Sequence, residues 1–506
     1  ALLLSWSAFL HSQDATGRVI GIVTDPQGGV VAGAKVTVTN VDTQVSRSTV
    51  TGADGQYQVL QLPIGTYSAS AEQPGFRRVV SSPEKLLINA ALHIDMKLEV
   101  GALSEVVQVE AQTTGVETVA VTLGNSVTAT QIVNAPLNGR NVLDLALLQP
   151  GVVPSESNAQ SNGVGGFSVA GGRQDSVTYT LDGGINNNLL NNGVVYNPNP
   201  DMVEEFRILT SNYTAEFGRS GGGIVSVVTK SGTNTVHGSV YDYIRNDALN
   251  ANSFFNNANG LGREILKRNQ FGGSVGGPIT IPKVLNGKDR FFFMVGYQGQ
   301  RQSRLSTTAK TTVFTPAELN GDFSMSNAAR TGPDPLVVSF LQANPYFQSN
   351  PSLAARGVID PTRIDSVARN YIKSSLIPTS PSGSLIAQGA DKDDRDELTE
   401  KVDLLFTPKD RLTVTLGSSR NPLLQAFAPV NAAPGSPSLA YANVPGYPGT
   451  GAYNTYFGSA DYTKTLSPAM VNDFRFSAQR VRRVQGVPAT KLPTPGQLGI
   501  GITPDE

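Results

Sequence analysis

DMVEEFRILTSNYTAEFGRSGGGIVSVVTK, residues 201–230, changes its hydrophobic period from helix to strand, and the rest of the chain is read from it. Asp201 can cap a first helical turn while Glu204, three residues on, reaches back in the manner of a capping box, so a short helix is expected at its start. Phe206 and Ile208, then Ile224, Val225, Val227 and Val228, read as strands, separated by small residues at Gly218 and at Gly221, Gly222 and Gly223. Three consecutive glycines ahead of a strand admit a close backbone approach or an unusual dihedral angle. Neither requires catalysis.

The chain around this stretch has 506 residues, enough for about three domains. Its formal net charge is −1 with 16% charged residues, so nothing in it points to a nucleic-acid binder or a polybasic membrane anchor. The 52 glycines and 31 prolines favour turns and short strands over helix bundles. There is no cysteine, so neither disulfides nor cysteine-ligated metals arise. The three histidines, His11, His93 and His237, sit in no catalytic or metal-ligand motif. No catalytic residue, metal or cofactor is assigned.

The first residues, ALLLSWSAFLHSQ, are too short to span a bilayer and read as the tail of a secretory signal over residues 1–13, which implies export. An irregular first strand is the other reading. Residues 17–100 alternate apolar and polar positions between turn signals, with a hairpin expected at Asp54 and Gly55 and a turn at Pro63 to Gly65. The spacing predicts a small β-sandwich. An extended heptapeptide follows, EVVQVEA: Glu105, Val106, Val107, Gln108, Val109, Glu110 and Ala111. Within residues 112–235, a short apolar helix is expected over 142–148, a turn at Gly171 and Gly172, and loop through the Asn- and Pro-rich residues 186–200.

Beyond residue 236 the alternating segments lengthen: 236–246, 268–279, 290–304, 398–406, 411–420, 453–464 and 470–483. Val402, Leu404, Phe406, Leu412, Val414 and Leu416 point one way while Lys401, Asp403, Thr413 and Thr415 point the other. A polar inside and an apolar outside are expected. The connections alternate long and short, as in an outer-membrane barrel with long extracellular loops and short periplasmic turns. Phe291 to Phe293, Tyr453 and Tyr456 suit interfacial girdles, or a core. The charge run DKDDRDELTE at 391–400 lacks the order of a calcium loop and reads as solvated loop, and residues 333–389 as partly mobile.

In residues 181–230, Leu181-Asp182-Gly183, Pro200-Asp201, Glu204-Glu205-Phe206, Phe217-Gly218, Gly222-Gly223-Ile224 and Val227-Val228-Thr229-Lys230 resemble the end of the plug domain of TonB-dependent outer-membrane transporters. Thr210-Ser211-Asn212 replaces the Arg-Gly-Pro common in that family. That departure, with PLNGRN at 136–141 and SGTN at 231–234, is similar to the Oar-like branch, whose members carry a carboxypeptidase-regulatory-like domain in front. Residues 17–100 resemble that domain, at Asp54-Gly55-Tyr57 and Leu62-Pro63-Gly65-Tyr67 among other positions.

The resemblance implies a mainly β chain: an Ig-like sandwich, an α+β plug over 112–235, and the first part of an antiparallel outer-membrane barrel over 236–506. A transporter barrel of about 22 strands would make this a fragment at both ends. The heptapeptide at 105–111 stands where the family's TonB box lies, offering unpaired backbone to the TonB complex of the inner membrane by strand addition. A plain linker strand is the alternative. Asn186, Asn187, Asn188 and Tyr196 become contacts for an unknown extracellular ligand. Arg140 and Arg173 either face substrate or are buried partners of Asp182 and Glu204, and the polar lumen favours the buried pairs; Gly183, Gly222 and Gly223 are structural. The implied function is import across the bacterial outer membrane by a monomeric, lipid-embedded barrel, plug and sandwich on the periplasmic side. An envelope adhesin or matrix-binding protein is the alternative, and only the barrel explains alternating connections.

Overall fold

The computed structural model describes residues 15–101, 106–109, 123–154, 167–189, 192–211, 213, 221–258, 260, 262–307, 310–347, 350–426, 449–467, 470–485 and 493–501. The expected leader at 1–13, Glu105, Glu110, Ala111, and Phe217 with Gly218 lie outside them.

Residues 15–101 form two sheets face to face. One joins Gln56–Pro63, Thr16–Thr24 and Ala91–His93; the other joins Arg78–Ser81, Gly65–Glu72, Lys35–Asn40 and Ser46–Val50. Alternate positions turn Val19, Val36, Val38, Ala69 and Ile94 into a shared apolar core. The hairpin expected at Asp54 and Gly55 is instead a turn between sheets, since the strands it joins, Ser46–Val50 and Gln56–Pro63, pair with different partners. Gly55, at φ 69, supplies the left-handed turn.

The next unit is a five-stranded mixed sheet in the order Leu123–Thr128, Val203–Ser211, Ile224–Thr229, Thr178–Leu181, Gly184–Ile185. Phe206, Ile208, Val225, Val227 and Leu181 pack with Ile132, Leu143 and Leu145 from a short helix, Ala129–Asn134, and a 3₁₀ turn, Val142–Leu148. Every residue of Ile224–Thr229 is buried, because one face meets this core and the other is covered as well. The helix expected at Asp201 is a 3₁₀ turn, Pro200–Met202, capped by Asn199. Proline at the first position favours that earlier start, and Glu204 already lies in the following strand.

The third unit is an antiparallel wall of seven neighbouring strands: His237–Asn246, Leu266–Pro278, Phe291–Thr307, Arg395–Thr407, Asp410–Gln425, Gly449–Ser467 and Met470–Gln485. A short segment, Gln388–Asp393, precedes the fourth and pairs with the third and fifth. The register aligns Lys401, Thr415, Ser459 and Ser477 in one row and Val402, Val414, Ala460 and Phe476 in the next. Lys401, Thr415 and Ser459 are buried, whereas Phe476 is 61% and Leu416 48% exposed. Polar side chains therefore cover the inner face and apolar ones the outer, the inverse of a water-soluble sheet and the arrangement of a membrane barrel.

Two expectations change accordingly. The charge run at 391–400 is strand, because a polar inner face accepts carboxylates: Asp391 pairs with Arg304 at 3.0 Å, and Glu397 accepts from Gln298 at 2.9 Å. Phe292 is buried on the inner face, so the run at 291–293 is no simple girdle. Residues 333–389 hold helices Pro335–Ala343, Pro351–Ala355 and Ser366–Lys373, capped by Asp334, Asn350 and Asp365. No described helix is long and apolar enough to cross a membrane, which bears on helical spans only.

Candidate functional site: the contact between plug and wall

The inner face of the wall is filled by the mixed sheet, and the contact is polar. Asp182 and Gly183 form the two-residue tip of the hairpin joining Thr178–Leu181 to Gly184–Ile185, with φ of 47 and 75. An Asp-Gly pair is suited to such a turn, where both central residues take positive φ. Here it carries a carboxylate to the wall. Asp182 accepts from Thr229 N at 2.9 Å and Thr229 Oγ1 at 2.6 Å within the plug, and from Thr415 Oγ1 at 2.8 Å and Lys401 Nζ at 3.2 Å on the wall. Lys401 also donates to the Thr229 carbonyl at 2.8 Å. A Cβ on Gly183 would run into the Arg475 guanidinium, which would have to shift, so glycine eases the approach as well as supplying the φ.

Arg140 is buried, as the pairing argument expects, but its partner is Asp201 rather than Asp182 or Glu204. Its Nε donates to Gln298 on the wall at 2.9 Å, and its guanidinium lies 4.0 Å from the Tyr241 ring centroid and 4.7 Å from that of Tyr243. Arg173 is exposed and pairs with Asp175, two residues away, so its assignment as a buried partner is corrected. Glu204 turns the other way and meets Lys85 of the sandwich at 2.8 Å.

Its neighbours strengthen that junction: Glu205 accepts from Ile88 N at 2.9 Å, and Arg207 donates to the Ile88 carbonyl. Burial raises the Glu205 carboxyl above the ordinary glutamate range, against hydrogen bonds to Ser126 and Ile88 and the positive charge of Arg207. Gly222 and Gly223 resolve the question posed by the glycine tract in favour of close approach. A Cβ there would meet Ser176 Oγ and Val169 Cγ1, each at 2.5 Å.

The four residues expected to touch a ligand are engaged within the protein. Asn186 holds Tyr196 by both backbone groups, donating to its carbonyl at 2.6 Å and accepting from its N–H at 3.0 Å. Asn187 accepts from Tyr179 N at 2.8 Å and donates to the Val177 carbonyl at 3.0 Å. Asn188 closes a turn with Gly193, its N–H donating at 2.6 Å. Tyr196 is 1% exposed, and its hydroxyl donates to the Leu398 carbonyl at 2.9 Å beside Thr399 Oγ1 at 2.7 Å. A buried irregular segment must satisfy its backbone within the protein, and asparagine side chains take that role. Burial holds the Tyr196 phenol well above its ordinary value.

Val106–Val109 lies as an edge strand of the sandwich, parallel to Arg78–Ser81 with Gln108 opposite Val80. The expectation of an unpaired backbone is thereby corrected: one edge of the segment is taken by the sandwich. The sandwich itself sits at the short-turn end of the wall, where Arg47, Pro63, Ile64 and Tyr67 share a cleft with Leu405 and Pro408. Asn234, between plug and wall, donates to the Thr43 carbonyl of the sandwich at 2.9 Å and to Asp289 of the wall at 2.6 Å. Alternation along the strand is enough to turn Lys401 inward. The pattern does not name a partner for an inward charge, so it leaves the pairings of Lys401 with Asp182 and of Arg140 with Asp201 unread.

Three family models match the chain. One for a carboxypeptidase regulatory-like domain matches residues 18–99, one for a TonB-dependent receptor plug domain 117–225, and one for an outer membrane beta barrel domain 228–506. The TonB-dependent transporter Oar of Myxococcus xanthus is 30% identical over 312 residues, which cover 58% of this chain and 27% of that protein. The chain thus spans about a quarter of the length of this curated relative. Among solved structures, the outer membrane transporter YddB from Escherichia coli aligns at 11% identity and TM-score 0.33, over 71% of this chain and 48% of its own. The siderophore receptor PiuA from Acinetobacter baumannii aligns at 10% identity and TM-score 0.35, over 72% and 46% respectively.

Proposed function

Because this chain belongs to the TonB-dependent outer-membrane receptors, in the Oar-like branch with a carboxypeptidase-regulatory-like domain in front, we propose that it binds an extracellular ligand and imports it by energy-coupled movement of the plug. The family is one of transporters and resides in the bacterial outer membrane. In this reading Glu105, Val106, Val107, Gln108, Val109, Glu110 and Ala111 engage the TonB complex of the inner membrane. The edge of the Val106–Val109 strand that no described strand pairs offers its backbone for strand addition, and a pull on it is transmitted to the plug. Sandwich and short turns face the periplasm, and the long connections face outward.

The observation that carries the proposal is the polarity of the contact at Asp182. A plug fixed by apolar burial would expose that surface to water on moving. Here the groups that separate, the Asp182 carboxylate and the Lys401 ammonium, regain hydration when they part. The apolar cluster around Phe206 and Leu181 belongs largely to the plug and can travel with it. Deleting residues 105–111 from the intact protein tests the coupling: uptake is lost and ligand binding to cells is kept. Uptake that survives the deletion contradicts it.

A further inference from the structure

A cleft of about 510 Å³ lies between residues 132–140 of the plug and the first two wall strands. It opens toward the end of those strands that carries the 247–265 connection, opposite the end occupied by the sandwich. Arg245 and Arg268 line it and stand directly across the antiparallel ladder from one another. On the same inward face, two positions along, Tyr243 stands opposite Gln270; Tyr243 covers Arg140 and Gln270 donates to the Gly139 carbonyl at 3.1 Å.

Like charges at directly opposed positions repel. Such pairs are ordinarily relieved by a carboxylate, yet among the described residues neither Arg245 nor Arg268 has a carboxylate oxygen within 4.0 Å. Both donate to one neutral acceptor, Asn138 Oδ1 of the plug, at 2.7 Å from Arg245 and 3.1 Å from Arg268. Arg268 also donates from Nε to Gln302. Arg140, on the same wall of the cleft, is different: Asp201 neutralises it and two tyrosine rings cover it. One arginine is thus structurally satisfied, and the other two, with no carboxylate in contact among the described residues and only the more distant charge of Asp393 acting on Arg268, face a space large enough for a small ligand.

We infer that Arg245 and Arg268 form a binding subsite for an anionic group of the ligand, a carboxylate or a phosphate. The inference rests on the transport reading and gives the ligand one chemical property. Two guanidinium groups converging on a single oxygen position suit an oxyanion better than an amide, because charge-assisted bonds are the stronger and the planar forks match its geometry. An anion seated there takes the place of Asn138 Oδ1. It thereby releases a contact between wall and plug on the side facing the ligand.

The test is calorimetric titration of the purified full chain with citrate and, separately, with inorganic phosphate at low salt. At least one of the two binds; citrate alone assigns a carboxylate, phosphate alone a phosphoryl group. Arg245→Gln and Arg268→Gln each weaken that binding by about tenfold or more. Arg263→Gln, whose guanidinium contacts only the backbone carbonyls of Asp247, Ala248 and Asn250, leaves it unchanged. Asn138→Asp supplies an internal carboxylate, so it raises the melting temperature and abolishes anion binding, which guards against a variant that merely misfolds. Failure of both anions to bind, or binding unaltered in the Arg245, Arg268 and Asn138 variants, overturns the subsite. The titration involves neither TonB nor uptake, so its failure leaves the transport reading standing, and failure of the deletion experiment leaves the subsite standing.

Discussion

The Lys401 ammonium of the wall lies 3.2 Å from the Asp182 carboxylate of the plug, and both side chains are only 5% exposed. The residues are 219 positions apart in the chain, so this pair is made only when the plug is seated. Removing one partner of a buried pair leaves a desolvated charge, a loss of about 3–5 kcal/mol, whereas removing both can be nearly neutral. Lys401→Met should therefore sharply increase proteolysis of the plug. Asp182→Asn combined with Lys401→Met should recover most of the resistance; equal sensitivity in the single and double variants would show that the pair does not seat the plug.

Gly183 should tolerate alanine poorly for two reasons that can be separated. Its φ of 75 disfavours any Cβ, and Arg475 occupies the space the Cβ needs. Gly171, in the same plug, has φ 77, and a Cβ added there would meet nothing within 4 Å. Gly171→Ala should thus lose about 1 kcal/mol from backbone strain alone. Gly183→Ala should lose clearly more in denaturant titrations of the plug, and equal losses would mean that the wall yields freely at the hairpin tip.

Docking of the sandwich on the plug should weaken as pH rises. The Glu205 carboxyl holds its proton more tightly when buried against Ile88 than when free, its pKa being raised from the ordinary 4.5. This contribution is fully present below the unfolded glutamate value and disappears as pH climbs through the raised one. Glu205→Gln keeps an acceptor for the Ile88 N–H and removes the titration. Energy transfer between a dye on the sandwich and one on the wall should show pH-dependent separation in the native chain and a flat profile in the variant; parallel profiles would assign the dependence to another group.

Asn186→Ala should act on stability. The side chain makes two hydrogen bonds to the backbone of buried Tyr196, and leaving those groups unpaired costs about 1–3 kcal/mol each before relaxation. Thermal denaturation should report the loss. A variant with unchanged melting but altered ligand binding would restore Asn186 to the role of a ligand contact.

Much of the architecture is legible in the sequence because it rests on period and on turn chemistry. Alternation separates Lys401 from Val402 and Thr415 from Leu416, and the seven wall strands follow from it. The Asp182-Gly183 dipeptide announces its hairpin, and Gly222 with Gly223 announces a close approach. Partner choice is less legible, because it depends on contacts far apart in the chain: Arg140 finds Asp201 and Glu204 finds Lys85. Rules learned at water-exposed surfaces also mislead in a lumen. Asn186 and Asn187 read as ligand-facing loop but their side chains replace backbone partners, and the charges at 391–400 read as loop but lie on strands whose inner face is polar.

The most direct test of the central claim is disulfide capture in cells between the intact receptor and the periplasmic domain of TonB, with single cysteines placed in turn from Glu105 to Ala111. These 506 residues contain no cysteine, so this part of the receptor adds no background. Strand addition predicts crosslinks that alternate along the segment and that a proline at Gln108 abolishes, while the receptor remains in the outer membrane. Correctly inserted receptor that forms no TonB crosslink at any of these positions would contradict the account.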